Sequence, residues 1–151
     1  PGVTLIVDAR NMCPANIDLN DFYKKENNTI ETITISPSNN FWVERGWEMA
    51  RKSLYKIQVP SEIEIEKFGY EKIDYSSGVK TFAYYAGSNP KLNIQPIQIT
   101  CTHMANSQLC TLASQVDEKI SFRVRFHFDQ IQNWKEIYLN SFMLIKSFLS
   151  E

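Results

Sequence analysis

The alternation of apolar and polar positions is cleanest near the C-terminus. Ile120, Phe122, Val124, Phe126 and Phe128 fall on one side of an extended chain, and Ser121, Arg123, Arg125 and His127 on the other. Period two of this kind is the signature of a strand buried on one face. The period then changes. Trp134, Ile137, Tyr138, Phe142, Ile145, Phe148 and Leu149 recur at three- and four-residue steps, which predicts an amphipathic helix with its apolar stripe turned to a sheet. Asn133, three residues before Glu136, has the spacing of a capping box.

Upstream the pattern is mostly that of strands. Val3 to Val7 reads as the first. In Thr29 to Ser36, Ile30, Thr32 and Thr34 alternate with Glu31, Ile33 and Ile35, and the β-branched content favours a strand. Leu54 to Val59 alternates until Pro60 ends it, and Ile63 and Ile65 alternate with Glu62, Glu64 and Glu66. Thr81 to Ala86 is apolar on both sides, which places it inside the sheet, and Ile94 to His103, Leu109 to Val116 and Ile120 to Phe128 form a meander. Asn11 to Asn28 is polar and broken by Pro14, a long loop with a short helical turn near Leu19 to Lys25. Pro37 to Asn40 is a turn leading into a helix near Phe41, weakened by Gly46. Asp74 to Gly78 and Gly87 to Pro90 carry turn chemistry. The pattern predicts an α+β fold: a single domain over 1–151, mainly antiparallel β-sheet, with an amphipathic C-terminal helix packed on one face. Trp134, Phe142 and Phe148 are expected to be largely buried against Phe122, Val124 and Phe126.

Composition narrows the class. The chain has 151 residues, 43% hydrophobic and 13% aromatic, enough for a core and unlike a disordered segment. Sixteen basic residues face seventeen acidic ones, for a net charge of -1, which argues against nucleic acid as a partner. No apolar run approaches the ~18 residues of a membrane span. The start at Pro1-Gly2 reads as a trimmed or mature form. The five glycines form no phosphate-binding loop, so no cofactor is expected.

The stretch ITCTHMANSQLCT, Ile99 to Thr111, holds two of the three cysteines. A hairpin turning at Ala105-Asn106 would pair Met104 with Ser107, His103 with Gln108 and Cys101 with Cys110. Directly opposed Cβ atoms lie ~4.5–5.5 Å apart, close to the ~3.8 Å a disulfide wants. A three-residue turn at Asp117 to Lys119 would then set Cys110 opposite Phe126, on the buried face. This register favours a Cys101–Cys110 disulfide, with Cys13 the free thiol. The alternative is a pair of reduced cysteines acting as small buried hydrophobes. A Cys101–His103 nucleophilic dyad lacks a positioned third group, and two histidines with no close ligand pairs do not make a zinc site.

The run SEIEIEKFGYEKIDY is the other singular stretch. Glu62, Glu64 and Glu66 on one strand edge, with Tyr70, Glu71 and Asp74 following, form either an ordinary solvated face or an acidic surface that steers a basic partner. The partner-binding candidates are Glu62, Glu64, Glu66, Tyr70 and Asp74. Arg123, Arg125 and His127 form a basic stripe that could bind an anion but is expected to sit against acidic side chains across the sheet. Trp42 and Trp47 read as core aromatics. The Asn27-Asn28-Thr29 sequon is too common a pattern to carry weight.

Three pieces together, YKIQVP, TFAYYAG and the C-terminal block of cysteine hairpin, phenylalanine strand and helix NWKEIYLNSFMLIKSFL, resemble small exported proteins of Gram-negative bacteria. That group includes immunity proteins against type VI secretion effectors, among them lipase effectors. The resemblance spans roughly residues 53 to 149 and carries no interface residues. It implies periplasmic residence and a non-enzymatic function, binding a cognate toxin and occluding its active site. The alternatives are an exported small-ligand or lipid-binding protein and an enzyme of unrecognised class. A ligand binder should show an apolar cavity of ~300 Å³ or more, an enzyme converging titratable groups with perturbed pKa values, and an inhibitor a protruding contact surface with no deep pocket.

Overall fold

The computed structural model describes residues 2–22, 24–38, 71–77, 79–86, 96–104 and 107–150. Among these residues eight strands make one antiparallel sheet: β1 Val3–Asp8, β2 Cys13–Pro14, β3 Ile30–Pro37, β4 Glu71–Ser77, β5 Val79–Ala86, β6 Ile97–Met104, β7 Ser107–Gln115 and β8 Ile120–His127. Their order across the sheet is β2-β1-β3-β8-β7-β6-β5-β4. A short helix α1, Leu19–Phe22, and a 3-10 turn, Lys25–Asn27, lie between β2 and β3. A second 3-10 turn, Phe128–Asn133, runs directly into the C-terminal helix α2, Trp134–Leu149. The expected α+β architecture is therefore present. The expected helix near Phe41, the strands Leu54 to Val59 and Ile63 to Glu66, Trp42, Trp47 and the Gly87 to Pro90 turn lie outside the described residues.

The core forms because register carries one apolar face across the strands. Ile33 pairs with Val124, Val124 with Leu112, and Leu112 with Ile99. These four are fully buried, as are Phe122 and Phe126. Each such side chain contributes roughly 1.5–3 kcal/mol of burial free energy. α2 lies on this face, burying Trp134, Ile137, Tyr138 and Ile145. Tyr138 stacks on Phe122 with ring centroids 6.1 Å apart.

Four sequence expectations are corrected. Asp74 to Ser77 are not a turn but the second half of β4, with Asp74 opposite Phe82. Antiparallel pairing satisfies the backbone of these turn-forming residues, and the reversal falls between Ser77 and Val79. The capping box is not formed. Asn133 makes no side-chain cap bond and instead donates Nδ2–H to Gln130 Oε1 at 3.0 Å, because the preceding 3-10 turn leads the chain straight into the helix. Phe148 is 51% exposed: it stays in phase with the apolar stripe, but the core ends at Ile145. Phe142 is only partly buried, its ring tilted against that of Tyr138 with centroids 5.8 Å apart.

The fourth correction concerns the basic stripe. Arg123 lies opposite Thr34 and Ala113, and Arg125 opposite Thr32 and Thr111. No acid faces either across the strands; both arginines are exposed. His127 is buried. Its Nε2 is 2.8 Å from the Phe22 carbonyl oxygen and its ring lies 5.3 Å from that of Phe22. The α1 segment folds over this end of the sheet, so His127 closes a small second cluster.

Candidate functional site

β6 and β7 are paired as the sequence predicts: Met104 with Ser107, His103 with Gln108, and Cys101 with Cys110. Counting back from a Met104–Ser107 pair that closes a hairpin, Cys101–Cys110 falls on a narrow, non-hydrogen-bonded pair. The two Cα atoms are 4.0 Å apart and the disulfide is formed. Both cysteines are buried, and Cys110 faces Phe126 on β8. A bond closing so short a loop adds roughly 2–3 kcal/mol. Cys13 is the free, exposed thiol among the described residues. Protein made in an oxidising compartment, alkylated without reduction, should gain mass for one modified cysteine. Three modified cysteines in the folded protein would refute the pairing in solution.

The acidic candidates are not assembled into a site by the described residues. Glu62, Glu64, Glu66 and Tyr70 lie outside them. Asp74 is on β4, the last strand of the described sheet.

A different group of residues converges where the N-terminal strands meet α2. Asp8 ends β1, and the chain reverses through Ala9–Met12 into β2. Met12 N–H donates to the Asp8 carbonyl at 2.7 Å and Cys13 N–H to Asn11 Oδ1 at 2.9 Å. Met12 takes φ 55°, a left-handed conformation that glycine or asparagine would adopt at less cost. Its side chain packs on the core. Arg10 closes a bidentate ion pair on Asp8, and this hydrogen-bonded guanidinium holds the Asp8 carboxyl below its ordinary pKa.

Behind this turn stands Glu31, on β3, directly opposite Val7. It is 2% exposed. Among the described residues neither carboxyl oxygen has a hydrogen-bond partner. Burial first, then the charges of Asp8 and Glu136, push its pKa up to about 8, so the group is mostly a neutral acid at neutral pH. In front of it lies a cavity of about 190 Å³. One wall comes from the N-terminal strands: Ala9, Arg10, Met12, Thr29 and Glu31. The other comes from the C-terminal helical segment: Gln130, Asn133, Glu136, Ile137 and Asn140.

Sequence reading missed this site, although its signal is present. Glu31 alternates in step with Ile33 and Ile35, which puts a carboxyl on the apolar face of a strand. The partner half of the site is unreadable from sequence, because Glu136 is over a hundred residues away. The cavity falls short of the ~300 Å³ typical of a small-molecule pocket, and carboxyl and amide groups share its walls with apolar ones. Among the described residues no cluster of histidine, cysteine or acidic residues could hold a metal ion, and no helix is long and apolar enough to cross a membrane.

The outward side of α2 carries a second feature. Leu139 and Met143 are exposed there, Met143 at 68%, and Leu149, in phase with the buried stripe, is exposed where the helix runs past the core. Met143, Lys146, Ser147, Leu149 and Ser150 border an open hollow of about 330 Å³. No protein-family model, no curated protein and no solved structure matches this chain.

Proposed function

We propose that the protein is a non-enzymatic binding protein, a periplasmic immunity protein that neutralises one cognate toxin by covering its active site. The observation that carries this reading is the apolar outward face of α2. Leu139 and Met143 are exposed one turn apart, and Met143 and Leu149 share a hollow with Lys146, Ser147 and Ser150, an arrangement that suits protein contact better than isolated solvent exposure. The buried disulfide suits an oxidising compartment. The resemblance to exported immunity proteins of type VI secretion supplies the class of partner. An acidic edge at Glu62, Glu64, Glu66, Tyr70 and Asp74 would add steering of a basic toxin face.

The enzyme reading draws on one observation, the raised pKa of Glu31 among Asp8 and Glu136. Against it, both Glu31 oxygens are closed off from solvent, whereas a general acid must come within ~2.6–3.2 Å of a reacting atom or reach it through one water.

The test is survival. Cells that export the product of the gene next to this one into the periplasm should die, and co-expression of this protein should rescue them. Met143→Glu should abolish rescue while leaving the circular dichroism spectrum and melting temperature unchanged. An absence of rescue, together with no complex between the two purified proteins, would overturn the reading.

A further inference from the structure

We propose that the cavity between the β1–β2 turn and α2 binds a primary alkylammonium group, carried by a free amine or by a lysine side chain of a partner protein. Three observations converge on this chemistry. The first is the charge of the walls. Glu31 and Glu136 are both part of them, and Asp8 is close enough to act on Glu31. The cation in the lining, Arg10, is already engaged by Asp8. With that pair neutralised, the lining carries the charge of Glu136, joined by that of Glu31 once it ionises, and this balance favours a cation over an anion.

The second observation is Glu31 itself, sealed from solvent with both oxygens unpartnered. A buried carboxyl left in this state has no structural benefit to offer the fold. It does provide a counter-charge that becomes favourable once a cation enters the adjoining space, where charges interact strongly through protein rather than water.

The third is the set of acceptors and walls. An ammonium donates three hydrogen bonds. Glu136, Asn140 and Thr29 line the cavity, and their side chains carry a carboxyl, an amide carbonyl and a hydroxyl as acceptors. Asn133 spends its N–H on Gln130, which leaves its carbonyl available to accept. Ala9, Met12 and Ile137 offer apolar surface for a methylene stem. The cavity of about 190 Å³ has room for roughly six waters at ~30 Å³ each, enough for a lysine head and its stem. A metal ion is the poorer fit, since no described group of three acids, histidines or cysteines could hold one.

Binding is linked to a proton. At neutral pH Glu31 is mostly protonated, and a cation beside it favours the carboxylate, so the proton leaves for solvent as the amine enters. The charged groups that set this equilibrium are Asp8 and Arg10 from the β1 end and Glu136 from α2. Affinity should rise with pH up to about 8, the value at which Glu31 ionises unaided, and level off above it.

Isothermal titration of the full chain with n-butylammonium and with Nα-acetyl-lysine amide, in two buffers of different ionisation enthalpy, tests this. The expected result is saturable binding of at least one amine, release approaching one proton per ligand at pH 7, and no binding of n-butanol. Glu31→Gln should bind roughly tenfold more weakly or worse and release no proton. Glu136→Gln should bind more weakly yet still release the proton. Tighter binding of the lysine amide assigns the site to a partner's lysine, and tighter binding of butylammonium to a free amine. No saturable heat from either amine, or the same affinity and proton count in Glu31→Gln, would overturn the proposal. The cavity shares no lining residue with the hollow at Met143, so amine binding by the Met143→Glu variant separates failure here from failure of the toxin-binding reading.

Discussion

Glu31→Gln is expected to make the protein more stable at pH 7 by about 3 kcal/mol, a figure that follows from the linkage of proton binding to folding. The folded value, about 8, lies above the ordinary 4.5. Between those two values the folded state keeps a proton that the unfolded chain releases. Stability contributed by the neutral acid is therefore full below pH 4.5, is lost as pH rises toward 8, and stays lost beyond. Glutamine has the same shape and cannot ionise, so the variant should lose this slope. Urea unfolding of both proteins at pH 5, 6, 7 and 8 gives the comparison, and the gap should widen with pH. Parallel curves across that range would mean that Glu31 titrates as an ordinary carboxyl. A natural protein that retains so costly a residue is expected where function opposes stability.

The second large effect separates two phenylalanines that the helical and strand patterns treat alike. Phe122→Ala should cost about 3–5 kcal/mol, the range for a buried aromatic whose loss leaves a cavity. Phe122 is fully buried and meets Tyr138 across the helix–sheet seam. Phe148→Ala should cost under about 1 kcal/mol, as for an exposed position, because half of that side chain is already in water. Phe142, half-buried beside Tyr138, should fall between them. Equal losses at 122 and 148 would mean that the last turn of α2 is covered in solution.

The contrast shows where sequence reading succeeded and where it stopped. Period two from Ile120 to Phe128 identified a strand and its buried face, because alternation is a local consequence of the extended backbone. The β6–β7 register, and with it the disulfide, followed from counting outward from one turn. Phe148 shows the limit: phase says which way a side chain points, not whether anything stands there. His127 shows another, since the alternation that set it opposite the core said nothing of α1 arriving to cover it. The functional site was least legible of all. Glu31 could be seen as a carboxyl in an apolar row, but the turn that strains Met12 and the helix that brings Glu136 belong to opposite ends of the chain. Their meeting is a property of the tertiary fold.

The join between β3 and β8 has a kinetic consequence. From β4 to β8 each strand neighbours the next in sequence, so that half of the sheet can zip up through local reversals. β3 meets β8 across a long stretch of chain, as where Ser121 Oγ–H donates to the Ser36 carbonyl, 85 positions away. Closing a loop of that size is entropically costly and slow relative to hairpin formation. Folding should thus be polarised, with the C-terminal half organised in the transition state and the N-terminal strands docking late. Substitutions at Leu112 or Val124 should then slow folding, whereas substitutions at Leu5 or Val7 should mainly hasten unfolding. Glu31 enters the protein interior only with that last docking step, so the chain commits most of its apolar surface before it must bury an ionisable group.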